Sequence, residues 1–204
     1  MCAGDDPAAR ATAHGVAAIV HPQSARLFFA LWPSPAMQAA LAVAAESAVL
    51  EAEKASSEVR RVPASNFHLT LALLGAIPLI RLPEVEEVAG RCARTSGAIE
   101  IVLDAIEHWR KPQVVCATAS ETPPAASGLA EELKQSLVEQ GFSPDLKPFR
   151  VHATVARKVR RVTSELRVEP VRWSFDSLHL IESKTSLDGS TYSALKKWVL
   201  DKRD

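Results

Sequence analysis

Two stretches of this 204-residue chain place an imidazole and a hydroxyl two positions apart: His68-Leu69-Thr70 and, 84 positions later, His152-Ala153-Thr154. In an extended strand, residues i and i+2 face the same way. Each histidine therefore shares a face with its threonine, while Leu69, Leu71, Ala153 and Val155 turn to the other side and anchor the strand. Two imidazoles titrating near ~6.5 make an acid–base pair at neutral pH. Two threonine hydroxyls can donate hydrogen bonds to the non-bridging oxygens of a phosphate as charge grows on them. Set on opposite walls, the two pairs would straddle one phosphorus and serve in-line displacement at a phosphodiester. One His-x-Thr in a strand is usually packing. Two in the same register make function an equal contender, and spacing alone leaves both readings open.

Other chemistries find less support. No third His, Cys or carboxylate sits at ligand spacing beside either motif, so neither a metal nor any other cofactor is expected. The chain has no phosphate-cradling GxxxxGK[ST] loop and no GxSxG nucleophile elbow. Lys+Arg and Asp+Glu balance at 24 each, which argues against wrapping long duplex nucleic acid but leaves room for a local basic cleft. Cys2, Cys92 and Cys116 are too few and too scattered for a disulfide framework or a zinc pattern. With no apolar run of ~18 residues to cross a membrane, the chain reads as a cytoplasmic protein, expected to be a monomer.

The elements that must position the motifs can be read from periodicity. Residues 1–25 are Ala-rich with no clean period and read as a loosely ordered extension, in which His14 and His21 are exposed loop histidines. A single domain is expected over 26–204. Leu27–Trp32 is a short apolar strand stopped by Pro33, and Ser34 can cap a helix over Met37–Lys54. Strands are expected at Val59–Val62 and Phe67–Leu74, a helix at Pro83–Arg94, then strands at Ala98–Trp109 and Gln113–Ala119. Leu129, Leu133 and Leu137 recur at helical spacing within a helix over Gly128–Gln140, which Gly141 ends. Phe149–Arg157 and Val171–Ser183 alternate as strands, and Thr191–Leu200 is a strand or a short helix. The repeated His-x-Thr shape suggests two similar lobes facing one cleft. Of the remaining histidines, His108 is expected at an exposed strand end and His179 as a packed strand residue. Trp32, Trp173 and Trp198 read as core or lobe-interface packing.

These residues resemble the two-histidine (2H) phosphoesterases, in particular the RNA 2′,3′-cyclic phosphodiesterases once called 2′–5′ RNA ligases. The likeness runs from Arg26 to Leu200. It is carried by Arg26-Leu-Phe-Phe-Ala-Leu-Trp-Pro33, by Val62-Pro-Ala-Ser-Asn-Phe-His68-Leu-Thr70-Leu-Ala-Leu-Leu-Gly75, and by Pro148-Phe-Arg-Val-His152-Ala-Thr154-Val-Ala-Arg157. Leu180-Ile-Glu-Ser183, Gly189 and Tyr192 come next in order. Arg61, Leu73, Val151, Ala153 and Val155 depart from the family's usual residues, and none of them removes a group the chemistry needs.

The resemblance implies an α+β fold: a bilobal unit with two antiparallel sheets and flanking helices around a central cleft, related by a pseudo-twofold internal repeat. It implies that His68, Thr70, His152 and Thr154 are catalytic, with His68 the general acid and His152 the general base. Arg157 would hold the terminal nucleotide, and Phe28 or Phe29 would stack on its base. The implied partner is an RNA or oligonucleotide end bearing a 2′,3′-cyclic phosphate, opened to a 2′-phosphate. A 2′–5′ RNA ligase uses the same displacement with another nucleophile. A non-catalytic nucleotide-binding module is the alternative outside enzymes, against which the matched acid and base argue.

Overall fold

A computed structural model of the protein describes residues 23–162, 168–186 and 189–201. Most of the expected extension, with His14 and His21, therefore lies outside the described residues. In chain order the elements are β1 (Ser24–Leu31), α1 (Pro35–Ala44), α2 (Glu46–Ala55), β2 (Arg60–Arg61), β3 (Leu69–Pro78), α3 (Leu82–Thr95), β4 (Ile99–Leu103), β5 (Ala105–Trp109), β6 (Val114–Thr118), α4 (Pro124–Glu139), β7 (His152–Arg157), β8 (Val171–Phe175), β9 (Ser177–Ser186) and β10 (Gly189–Val199). Two short 3-10 turns, Ala64–Asn66 and Leu79–Arg81, flank β3.

The fold is α+β and bilobal. One four-stranded sheet has the order β10-β9-β1-β3 and the other β2-β7-β6-β5, and every recorded strand pair is antiparallel. A third, two-stranded sheet, β4-β8, was not expected. It exists because two of the expected long strands break at aspartates. At Asp104 the carboxylate accepts hydrogen bonds from the Ser120 N–H at 2.8 Å and its hydroxyl at 2.6 Å. At Asp176 it accepts one from the Ser177 hydroxyl at 2.8 Å. Aspartate offers its carboxylate to nearby donors in place of the regular ladder, which lets a strand change sheets. The expected helix Met37–Lys54 likewise divides at Ala45, a residue 1% exposed. The last strand is β10, so the segment expected as a strand or a short helix is a strand.

Local signals act as chemistry dictates. The Ser34 hydroxyl caps α1 by accepting from the Met37 N–H at 3.3 Å. Gly141, at φ +75°, ends α4 in a conformation that L side chains rarely adopt. One hydrophobic core joins the lobes: Phe29, Leu31, Leu69, Ile101, Leu133 and Trp173 are all essentially inaccessible. Along β1 the alternation is strict. Leu27, Phe29 and Leu31 enter this core, while Phe28 and Ala30 form a separate small cluster with Ile181 on the other face.

Candidate active site

Both His-x-Thr motifs open onto one cleft of about 950 Å³ between the lobes, lined by His68, Thr70, His152 and Thr154. Leu69, Leu71, Ala153 and Val155 are at most 2% exposed and fasten the two strands in the core. His68 lies one residue ahead of β3, not within it as expected.

The internal repeat extends to atomic detail. The Nδ1 of His68 lies 2.7 Å from the Asn66 carbonyl oxygen, and that of His152 lies 2.9 Å from the Arg150 carbonyl oxygen. A carbonyl can only accept, so each Nδ1 carries the proton and donates. That leaves each Nε2 as the group that takes or gives a proton. A β-bulge comes directly after each threonine. Leu71 is skipped where Phe29 pairs with Ala72 and Ala30 with Thr70, and Val155 is skipped where Val115 pairs with Ala156 and Cys116 with Thr154. A bulge shifts the alternation by one residue and re-aims the side chains beyond it. Plain alternation would turn Arg157 away from His152. Because Val155 is bulged, Arg157 rejoins the cleft face, and in the first lobe Leu73 takes the corresponding place.

Each loop that delivers a histidine is held by a buried polar side chain from a helix. On α1, Gln38 is 6% exposed and donates to the carbonyls of Ser65 at 3.2 Å and Phe67 at 3.3 Å. On α4, Lys134 is 4% exposed and donates to the Lys147 carbonyl at 2.6 Å and to Glu131 at 2.9 Å.

The surroundings of the two imidazoles differ. His68 sits in an aromatic box. Trp32 is parallel to it with centroids 5.2 Å apart, Phe28 is at 5.0 Å, and Tyr192 meets it edge-on at 5.1 Å. Burial pushes its pKa down to about 4; the Asn66 carbonyl works against this, while the positive fields of His152 and Arg157 add to it. His152 packs against Trp109 at 4.8 Å beside a charged network. Glu107 accepts from the Trp109 indole N–H at 2.8 Å, the Thr118 hydroxyl at 3.2 Å and the Arg150 guanidinium at 2.5 and 2.7 Å. Burial also lowers the pKa of His152, and Arg150 and Arg157 contribute, against the pull of the Arg150 carbonyl. The ordinary titration near ~6.5 expected from sequence is thus replaced by two imidazoles held neutral at pH 7. Cys116, 3.7 Å from the Thr154 hydroxyl, is held as an unreactive thiol because burial pushes its pKa up to about 11.

The structure separates the two phenylalanines. Phe28 lines the cleft beside His68. Phe29 is wholly inaccessible and meets Trp198 edge-on in the core, so a stacking role for Phe29 is corrected. Trp32 was expected to be core or interface packing and instead covers His68. Tyr192, noted in the sequence only as part of the family resemblance, and Trp109, with no signal beyond its being aromatic, also face the site. His108 is half-buried, not exposed, because its Nε2 hydrogen-bonds the Val159 carbonyl at 2.8 Å. His179 is half-buried on β9 opposite Ala30, outside the residues lining the cleft. Among the described residues no three His, Cys, Asp or Glu side chains gather to hold a metal ion, and no helix is long and apolar enough to cross a membrane.

Comparison with known proteins identifies the family and agrees with the fold. A family model described as the 2′-5′ RNA ligase superfamily matches residues 33–186. An RNA 2′,3′-cyclic phosphodiesterase of Thermus thermophilus is 30% identical over 186 residues, covering 86% of this chain and 90% of that protein. The Escherichia coli RNA 2′,3′-cyclic phosphodiesterase is 28% identical over 145 residues, covering 69% and 80%. In structure, Escherichia coli LigT in its apo form superposes with a TM-score of 0.76 at 25% identity, over 88% of this chain and 99% of that one.

Proposed function

Because the chain belongs to the 2′-5′ RNA ligase superfamily, we propose that it hydrolyses the 2′,3′-cyclic phosphate at the end of an RNA or oligonucleotide, leaving a 2′-phosphate and a free 3′-hydroxyl. The observation that supports this best is the matched pair of imidazoles lining one cleft, each with Nδ1 committed to a carbonyl and Nε2 left for proton transfer, each beside a threonine hydroxyl. Nε2 of His152 takes a proton from a water that attacks phosphorus opposite O3′. Thr70 and Thr154 donate to the non-bridging oxygens as their charge grows. The P–O3′ bond breaks, and Nε2 of His68, protonated in the bound complex, delivers its proton to the departing O3′. One proton is taken and one returned, so the protein finishes with its protons exchanged between the two imidazoles, and solvent resets them. Arg157 on the cleft face holds the terminal nucleotide, and Phe28 offers its ring to the base. The setting is RNA processing in the cytoplasm, carried out by a monomer.

The test is direct. Purified protein is incubated with a nucleoside 2′,3′-cyclic phosphate and with an RNA bearing that end, and phosphorus NMR reads the products against authentic 2′- and 3′-nucleotides. A 2′-phosphate is expected. A 3′-phosphate would mean that the ribose lies the other way round and that the acid and base exchange roles. No opening of either substrate would refute the hydrolase reading.

A further inference from the structure

The two loops that deliver the histidines are alike at the imidazole but not behind it. In the first lobe the carbonyl that holds His68 belongs to Asn66, inside the 3-10 turn Ala64–Asn66. That turn is closed by its own backbone: the Asn66 N–H donates to the Pro63 carbonyl at 2.8 Å and the Phe67 N–H to the Ala64 carbonyl at 2.9 Å. The Asn66 side-chain amide also donates to the Ser190 carbonyl at 3.2 Å. In the second lobe the carbonyl that holds His152 belongs to Arg150, in a stretch ahead of β7 with no regular structure. Among the described residues Arg150 makes no backbone–backbone hydrogen bond. Lys134 secures this loop only at Lys147, three positions earlier.

What fixes Arg150 is its side chain. Its guanidinium donates to both carboxylate oxygens of Glu107 on β5, at 2.5 and 2.7 Å. The same carboxylate accepts from the Trp109 indole N–H at 2.8 Å and from the Thr118 hydroxyl at 3.2 Å. Each of these partners bears on His152 from a different direction. Arg150 holds Nδ1 through its carbonyl at 2.9 Å, Trp109 packs against the ring at 4.8 Å, and Thr118 stands directly opposite His152 in the ladder between β6 and β7. The Arg150 guanidinium also lies 5.2 Å from the centroid of the Trp109 ring. Glu107 itself is not among the residues lining the cleft, so it can act only through these partners. Burial works to raise its pKa, but the Trp109 N–H and the charge of Arg150 outweigh this and hold the carboxylate ionised. An ionised carboxylate accepts with both oxygens and can hold Trp109 and Arg150 at once. Which nitrogen of an imidazole keeps its proton is set by the bond the other one makes. With Arg150 slack, that choice would reopen at His152.

We propose that Glu107 is the positioning residue of His152: by pinning Arg150 and Trp109 together it keeps the proton on Nδ1 and leaves Nε2 bare toward the cleft. The first lobe reaches the same end for His68 with a backbone turn and neutral amides, and needs no carboxylate. The proposal rests on the function given above, in which Nε2 of His152 takes a proton from the attacking water, and it adds the residue that prepares that nitrogen. Glu107 neither gives nor takes a proton in the reaction.

Glu107→Gln tests this, because an amide has one acceptor oxygen and can serve Trp109 or Arg150 but not both. Heteronuclear NMR of the ring nitrogens reads the His152 tautomer without substrate, at a pH where the ring is neutral, with the signals assigned by their loss in His152→Gln. The wild-type protein is expected to carry the proton on Nδ1, and Glu107→Gln to show a mixture of the two tautomers. On a nucleoside 2′,3′-cyclic phosphate, kcat should fall ~10- to 100-fold, the cost of a misplaced catalytic group, with KM unchanged. Arg150→Met keeps the carbonyl and removes only the pin. It should give the same mixture, also where Glu107→Gln fails to fold, and the double variant should be no worse than either single one. Glu100→Gln removes an exposed ion pair with Arg172 in the two-stranded sheet and should leave both readouts at wild-type values. A His152 ring still protonated only on Nδ1 in Glu107→Gln or Arg150→Met overturns the proposal, even if kcat falls, since the role would then be structural. So does wild-type kcat beside a shifted tautomer. A protein whose tautomer shifts as expected but which opens no cyclic phosphate would refute the hydrolase reading alone. One that opens cyclic phosphates with its tautomer unmoved in these variants would refute only the role of Glu107.

Discussion

The imidazole proposed as the general acid is the one whose proton is hardest to keep. The pKa of His68 has fallen from 6.5 to about 4, a preference of ~3.4 kcal/mol for the neutral form at 1.36 kcal/mol per pH unit. At pH 7 only about one free molecule in a thousand would carry the proton. The substrate itself can reverse this. A phosphate oxygen placed ~4 Å from the imidazolium is worth about 4 kcal/mol per unit charge at an effective dielectric constant near 20, close to what burial takes away. Binding an anion between the threonines should therefore lift the pKa of His68 from about 4 to ~6 or higher. The perturbation to apply is sulfate, which keeps its charge through the whole titration where inorganic phosphate would not. The ring Cε1–H resonance of His68, assigned by its disappearance in His68→Gln, is followed by NMR from pH 3 to 9 with and without saturating sulfate. A rise of one pH unit or more is expected, and the alkaline limb of kcat should lie above that of kcat/KM for the same reason. A His68 titration unmoved by bound sulfate would show that the anion does not reach this imidazole and would refute its role as the acid.

Three further outcomes are expected. His68→Ala and His152→Ala should each lower turnover by ~10²- to 10⁴-fold, the ordinary contribution of a positioned acid or base, as read by initial rates on a nucleoside 2′,3′-cyclic phosphate; a variant at wild-type rate would exclude that histidine. Phe28→Ala and Phe29→Ala should fail differently: Phe28→Ala raises KM at the cleft, whereas Phe29→Ala opens the core and lowers stability by ~3–5 kcal/mol in urea denaturation, and equal effects on both properties would contradict the opposite faces seen for the two rings. Folding also keeps His68 neutral, so between 6.5 and about 4 the unfolded chain binds the extra proton. Stability is therefore full above ~6.5 and is lost as pH falls toward 4, by up to ~3 kcal/mol from this residue. Urea midpoints at pH 7 and 4.5 should fall less for His68→Gln than for the wild-type protein, and equal falls would refute the assigned burial.

Much of the fold was legible because the signals are local. The strand carrying His152 is visible in its own alternation, and the stop at Gly141 in one residue's conformational freedom. The third sheet was not legible, because Ala98–Trp109 reads as one apolar run. What divides it is Asp104 finding Ser120, a partner sixteen positions away that no period announces. The same limit explains the site. The two His-x-Thr motifs were visible as types at a spacing, but the aromatic box around His68 joins two segments distant in sequence, Phe28 on β1 with Trp32 just after it and Tyr192 on β10, and burial by that box is what displaces the pKa from its ordinary value.

The two bulges bear on the roles of the histidines as well. Strict alternation from His152 puts Arg157 on the core face, where an unpaired guanidinium would be prohibitively costly. The sequence pattern alone therefore contains a contradiction: a cation at a core position of a strand. A bulge at Val155 resolves it, and the first lobe repeats the device at Leu71, where Leu73 stands in place of the arginine. An arginine is then needed on one wall only. The proposed substrate is asymmetric about its phosphorus, with a base and a chain on one side, and a symmetric pair of arginines would bind it in two orientations. With Leu73 at the position that corresponds to Arg157 in an otherwise repeated frame, the chain breaks its own pseudo-symmetry, and under the proposed function this is the feature that would orient the ribose and let His68 and His152 hold different roles although their backbone settings are nearly the same.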